Sequence, residues 1–233
     1  MKIVLSERMK RIADLVTPGR VTADIGCDHG LVSAYLIERE ICPKVYALDV
    51  AEGPLNSAKK NTSEYSDRIE LRLSDGFEAL EKGETEAAII TGMGGHLILS
   101  ILEAGMDKME DGYELVLSPQ SDIFLVRKFL CENGFEIVEE DMLKEDGKYY
   151  VIIKAVFETP GKSIEKTEAD LYYGEKLIEK KSPVLKEYLE KEIEKRETLF
   201  CRLSKSQNEN TINRLAELRK EVETMSKVLD MMR

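Results

Sequence analysis

The chain has 233 residues and a net charge of −11, from 45 acidic and 34 basic side chains. That balance argues against a simple polyanion binder. No apolar run is long enough to span a bilayer, and the N-terminus turns polar too soon for a secretory signal. Cys27, Cys42, Cys131 and Cys201 lie far apart with no C-x-x-C spacing, the pattern of reduced thiols in a cytoplasmic protein of one or two domains.

In chain order, Ser6 is placed to cap a helix running to about Val16, with Met9, Ile12, Ala13 and Val16 on one face. Thr17-Pro18-Gly19 ends it. Val21 to Ile25 reads as a buried strand, followed by the loop Gly26 to Gly30 and a helix from Leu31. Strand, glycine-rich turn and helix form the first unit of a nucleotide-binding α/β domain, in which ligands sit beyond the carboxyl ends of the strands. Lys44 to Asp49 is the second strand, Pro54 opens a helix, and Ile69 to Ser74 alternates as a third strand. Ala87 to Thr91 is the fourth strand, then the loop Gly92 to His96 and a helix over Leu97 to Leu102. Tyr113 to Leu117 is the fifth strand, ending in Ser118-Pro119-Gln120, and Ile123 to Glu132 is helical with Asn133-Gly134 as its stop. Phe135 to Val138 and Tyr149 to Phe157 pair as two last strands. Five β/α units and a terminal pair predict a doubly wound sheet with an antiparallel edge.

From about Glu168 the pattern changes to long helices. Pro183 suits a first turn, and Leu185, Leu189, Ile193, Phe200 and Leu203 recur as a stripe. Ser206-Gln207-Asn208 reads as a turn. Thr211, Leu215, Leu218, Val222, Met225, Leu229 and Met232 then step by alternating fours and threes, which is a heptad seam. The expectation is an antiparallel helical hairpin, with a homodimerising coiled coil as the alternative to a monomer. Residues 1–157 carry 18 basic and 29 acidic side chains and residues 158–233 carry 16 of each, so a boundary is expected near Thr159-Pro160-Gly161, giving domains 1–160 and 161–233.

The loops carry the chemistry. The first reads Asp24-x-Gly26-x-x-x-Gly30 with a second acid at Asp28, not the G-x-G-x-x-G of a dinucleotide site. Two carboxylates repel a pyrophosphate but suit S-adenosylmethionine, which carries a sulfonium and an ammonium. In that reading Gly26 lines the methionine moiety and Gly30 lets the helix pack near the strand. Asp49 takes the ribose hydroxyls, Asp75 of Asp75-Gly76 accepts from the adenine amino group, and Gly92-Met93-Gly94-Gly95 leaves bare backbone beside the substrate. Cys27 is expected as lining rather than nucleophile. The only histidines, His29 and His96, fall in these loops, but sulfonium methyl transfer needs no Lewis acid and no metal is expected.

The D-I-G-x-D-H run at 24–29, G-P-x-x-x-A-K at 53–59, D-G at 75–76, G-M-G-G at 92–95 and E-D-G-K-Y-Y at 145–150 resemble the bacterial tRNA (adenine-22-N1)-methyltransferases, the TrmK family. The resemblance covers about residues 1–157, and the helical tail is similar to that family's coiled-coil domain. It implies a class I, Rossmann-like methyltransferase fold, S-adenosylmethionine and a tRNA substrate. The chain departs from the family in having Gln120 after Pro119, where an asparagine is usual; a glutamine reaches the same edge with one more rotatable bond. On this reading Asp24, Gly26, Cys27, Asp49, Asp75, Gly76, Gly92, Met93 and Gly94 form the cofactor site. Gly95, His96, Pro119, Gln120 and Arg8 face the substrate, with Arg8 or Arg11 on the RNA backbone. Adenine N1 holds an in-plane lone pair, so the work is positioning; Asp28, supported by His29, accepts from the N6 amino group of a base turned out of its stack. The rival readings are a methyltransferase for a small molecule or protein, and a non-catalytic protein that binds through the hairpin.

Overall fold

The computed structural model describes residues 3–158, 166–204 and 209–233. The expected boundary at Thr159-Pro160-Gly161 and the expected turn at Ser206-Gln207-Asn208 lie outside the described residues. The chain divides into two compact units, Met1–Glu165 and Lys166–Arg233.

The first unit holds helices α1 (Glu7–Asp14), α2 (Leu31–Glu38), α3 (Glu52–Asn61), α4 (Gly95–Gly105) and α5 (Ile123–Glu132). Its strands are β1 (Thr22–Ile25), β2 (Val45–Asp49), β3 (Ile69–Leu73), β4 (Ala87–Thr91), β5 (Glu114–Ser118), β6 (Phe135–Glu145) and β7 (Lys148–Phe157). They form one sheet in the order β3-β2-β1-β4-β5-β7-β6. The first five strands are parallel and β7 runs antiparallel between β5 and β6, so the order reverses at β1 and β4. β1, β2 and β5 are buried throughout, as strands covered on both faces must be.

Three local features differ from the sequence expectation. No α-helix joins β3 to β4. The Ser74 hydroxyl instead accepts from Ala79 N and donates to the Gly76 carbonyl, closing a tight turn that drives Phe77 and Leu80 into the core. Phe77 packs against α4, where a Cβ on Gly105 would meet its ring at 2.2 Å. α4 begins at Gly95, so Gly95 and His96 belong to its first turn and not to the loop. β6 is far longer than its apolar run suggests, whereas β7 starts one residue before the expected Tyr149. A bulge between Ile137 and Glu139 switches the alternation, so that Glu140 points inward to a fully buried ion pair with Arg127 at 2.7 Å.

In α1 the Ser6 hydroxyl accepts from Met9 N, as expected of a cap. Ile12, Ala13 and Val16 then enter the same core as Ala34 to Ile37 of α2. Arg11 is tied to Asp141 of β6 at 2.9 Å.

The second unit contains α6 (Glu168–Tyr173), α7 (Glu175–Glu179), α8 (Pro183–Leu203) and α9 (Glu209–Met231). Thr167 and Asp170 form a capping box on α6, and Ser182 caps α8 with Pro183 in its first turn. Arg196 pairs with Glu221 at 2.6 Å and Phe200 sits under Arg219, so the two long helices run antiparallel. Thr211, Leu218, Met225 and Met232 are buried every seventh residue, with Leu215, Val222 and Leu229 half-buried between them. Val228, outside the expected seam, is fully buried as well.

Candidate active site

A cavity of about 640 Å³ opens at the carboxyl ends of β1, β2, β3 and β4, where the strand order reverses. Of the residues expected from sequence, Asp24, Gly26, Cys27, Asp28, His29, Asp49, Asp75, Gly76, Gly92, Met93 and Arg8 line it.

Asp24 ends inside the wall, and Ser33 of α2 donates its hydroxyl to it at 2.6 Å. Burial pushes its carboxyl up to about 6, and the charge of Asp49 adds to the shift. Asp49, at the end of β2, accepts the Asp28 N–H on one carboxylate oxygen and the Ala51 N–H on the other, at 3.2 and 3.0 Å. It thereby locks two loops and keeps lone pairs toward the cavity. Asp28 takes a left-handed backbone conformation, φ 49°, and stands exposed at the mouth. His29 Nε2 is 3.6 Å from its carboxylate, and Asn61 donates to the His29 carbonyl at 2.9 Å. Burial pushes the Cys27 thiol far above its ordinary range, and the surrounding carboxylates Asp24, Asp49 and Asp28 push it further, so it stays protonated. A Cβ on Gly26 would lie 2.3 Å from the Met93 methyl, so the Met93 side chain crosses this glycine.

Several assignments change. Gly30 serves not the strand but α3: a Cβ there would meet Ala58 and Thr62 at 3.0 and 3.1 Å. Gly95 is buried against the turn at Ser121-Asp122, where a Cβ would stand 2.6 Å from the Ser121 carbonyl, and Gly94 packs against the Ser121 hydroxyl. Their need for glycine is packing. Neither lines the cavity, nor do the exposed His96, the buried Pro119 or the exposed Gln120. Gln120 acts through its backbone, donating N–H to the Met93 carbonyl at 2.9 Å and so fixing the loop that does line it. Arg11 is held at β6, away from the lining.

Sequence reasoning missed the apolar part of the wall: Val4, Leu5 and Met9 at the start of the chain, Leu31 and Val32 of α2, Val50 after β2, and Leu97 and Ile101 of α4. The available signal was the spacing of four between Leu97 and Ile101, readable once α4 is known to start at Gly95. Among the described residues no cluster of three or more His, Cys, Asp or Glu is arranged to hold a metal ion, and no helix among them is long and apolar enough to cross a membrane.

Residues 5–153 match the family model described as a methyltransferase domain. Over 234 aligned residues, covering 98% of both chains, the chain is 30% identical to the tRNA (adenine(22)-N(1))-methyltransferase of Bacillus subtilis. The chain belongs to the tRNA (adenine(22)-N(1))-methyltransferase family. Solved structures agree over the whole length. A Streptococcus pneumoniae protein in complex with S-adenosyl-L-methionine is 30% identical, with a TM-score of 0.84 over 97% of this chain and 100% of that one. The TrmK of M. capricolum, solved with the cofactor product S-adenosyl-homocysteine, is 26% identical, with a TM-score of 0.84 over 98% and 99%. The chain joins a seven-stranded sheet unit to a helical C-terminal one.

Proposed function

We propose that this enzyme transfers a methyl group from S-adenosylmethionine to N1 of adenine 22 in tRNA. The observation that carries the reading is the cavity itself. Four carboxylates, Asp24, Asp28, Asp49 and Asp75, converge on one pocket at the strand reversal, with apolar walls between them. Its volume lies within the roughly 300–1,000 Å³ usual for small-molecule sites. Acids at the ends of three of the four strands favour a cationic ligand with a diol and an amino group over a phosphate ligand.

When bound, S-adenosylmethionine supplies an electrophilic methyl group on a sulfonium. Asp49, braced by two main-chain donors, holds the ribose hydroxyls. Asp75 accepts from the adenine amino group, and Val50, Leu97 and Ile101 offer apolar faces to the ring. Asp24, held by Ser33, is assigned the ammonium. Asp28 at the mouth accepts from N6 of the target adenine, orients its N1 and offsets the positive charge that grows on the ring, with His29 beside it. Adenine N1 is neutral with a free lone pair, so no general base is required. The protonated Cys27 is a wall and not a nucleophile.

All residues lining the cavity come from one unit of one chain, so a single copy is taken as the working form. The four free cysteines fit the cytoplasm, where tRNA is the partner. The test is methylation of two transcripts of the same tRNA, one with adenine and one with guanine at position 22. Transfer to the first alone supports the assignment; equal transfer to both removes it.

A further inference from the structure

The loop between β1 and α2 winds through three left-handed residues, Gly26, Asp28 and Gly30, with φ of 74°, 49° and 66°. Glycine takes that conformation freely. An aspartate does so at a cost, and such strain persists only where the surroundings hold it. The N–H groups of Gly26 and Cys27 both donate to the Leu48 carbonyl, at 2.8 and 2.9 Å, and fix the start of the loop. The Gly30 N–H donates to the Cys27 carbonyl at 2.8 Å and closes the turn. Two side chains from other elements then hold the Asp28-His29 pair between them. Asp49 of β2 accepts the Asp28 N–H at 3.2 Å, and Asn61, in the last turn of α3, donates its carboxamide N–H to the His29 carbonyl at 2.9 Å.

The two tethers differ in what else they do. Asp49 also serves the ribose in the reading above, so its bond to Asp28 is shared with the donor. Asn61 is exposed and does not line the cavity. Water would satisfy an exposed carbonyl equally well; a donor carried on a helix adds a fixed position. The fold makes room for this contact. A Cβ on Gly30 would stand 3.0 Å from Ala58 and 3.1 Å from Thr62, so any side chain there would push the last turn of α3 away and take Asn61 out of reach. The Asp28 carboxylate and the His29 imidazole, 3.6 Å apart, are both exposed, so the main chain beneath them sets where they stand.

We propose that Asn61 is a positioning residue for methyl transfer: its bond to the His29 carbonyl holds Asp28 and His29 in the pose that meets the target base. The proposal rests on the reading that Asp28 accepts from N6 of that base.

The test is single-turnover methyl transfer to tRNA by the wild type, Asn61→Ala, Asn61→Gln, Asp28→Asn and the double variant Asn61→Ala with Asp28→Asn. Donor affinity, tRNA affinity and thermal unfolding are measured alongside. Loosening a positioned carboxylate predicts that Asn61→Ala transfers methyl about tenfold more slowly, while both affinities stay within about threefold. Asn61→Gln keeps the donor group and restores most of the rate. In the Asp28→Asn background the same alanine change slows transfer by less than about twofold, because the group it positions is gone. A tie that only holds helix to loop would instead lower the unfolding temperature and slow both backgrounds equally. Unchanged transfer by Asn61→Ala overturns the proposal, as does an equal loss in both backgrounds or a loss confined to donor or tRNA affinity. Full turnover by Asp28→Asn removes the reading of Asp28 itself, and the proposal with it, whatever Asn61→Ala does.

Discussion

Asp24 is 5% exposed, and its ionisation gives the protein a pH dependence that can be worked out. Its carboxyl is raised from 3.8 to about 6 when folded. A folded-state value above the unfolded one means that the folded protein holds the proton more tightly. Stability from this group is therefore full below pH 3.8 and is lost as the pH rises through about 6. At pH 7.5 the ionisation of Asp24 costs about 3 kcal/mol with the cavity empty, and at pH 5.0 roughly half of that. Asp24→Asn keeps the shape and an oxygen for the Ser33 hydroxyl but does not titrate. Its stability relative to the wild type should fall by on the order of 1 kcal/mol between pH 7.5 and pH 5.0, whatever its absolute offset. Urea unfolding of both proteins at the two pH values measures this difference. The same variant should bind S-adenosylmethionine at least about tenfold more weakly at pH 7.5, because the ammonium loses its carboxylate. A gap that stays constant with pH, or donor binding that is unaffected, refutes the assignment.

Further predictions concern the rest of the site and the core. Asp28→Asn, which suits the left-handed backbone at this position, should reduce transfer by about 100-fold or more while donor affinity stays within about threefold; retained turnover removes Asp28 from the mechanism. Asp49→Asn should weaken donor binding by about tenfold or more in a calorimetric titration, and an unaltered affinity contradicts the ribose assignment. Among the cysteines, the exposed Cys201 should react with a thiol reagent in the native protein, whereas buried Cys27, Cys42 and Cys131 should react only on unfolding; fast native labelling of Cys27 contradicts its protonated state. Arg127→Met should destabilise the fold by about 3–5 kcal/mol, because it leaves Glu140 charged and buried; a loss below about 1 kcal/mol shows that the pair is dispensable.

The main architecture was readable because it rests on local periodicity. β4 at Ala87–Thr91 and α5 at Ile123–Glu132 coincide with the apolar and capping patterns residue for residue. The acids at the strand ends were readable for the same reason: once the strands are placed, Asp24, Asp49 and Asp75 fall on one edge of the sheet. What escaped depends on tertiary packing. β6 hides behind Glu139, Glu140 and Asp141, and only the bulge and the Arg127 partner explain an acid pointing inward. Gly95 looked like ligand-facing backbone because a glycine run has no side chain to say which neighbour needs the space. Here that neighbour is the Ser121 carbonyl, on a different loop. Arg8 was assigned to RNA as a surface cation; Glu145, which accepts its main-chain N–H, and Tyr150, whose ring lies against its guanidinium, are more than 130 residues away in sequence.

The most direct test of the account is methyl transfer from labelled S-adenosylmethionine to unmodified bacterial tRNA, followed by nucleoside analysis of the product. The account predicts label in N1-methyladenosine at position 22 and in no other nucleoside. Label absent from tRNA while the protein binds the donor would contradict it and send the search to another acceptor.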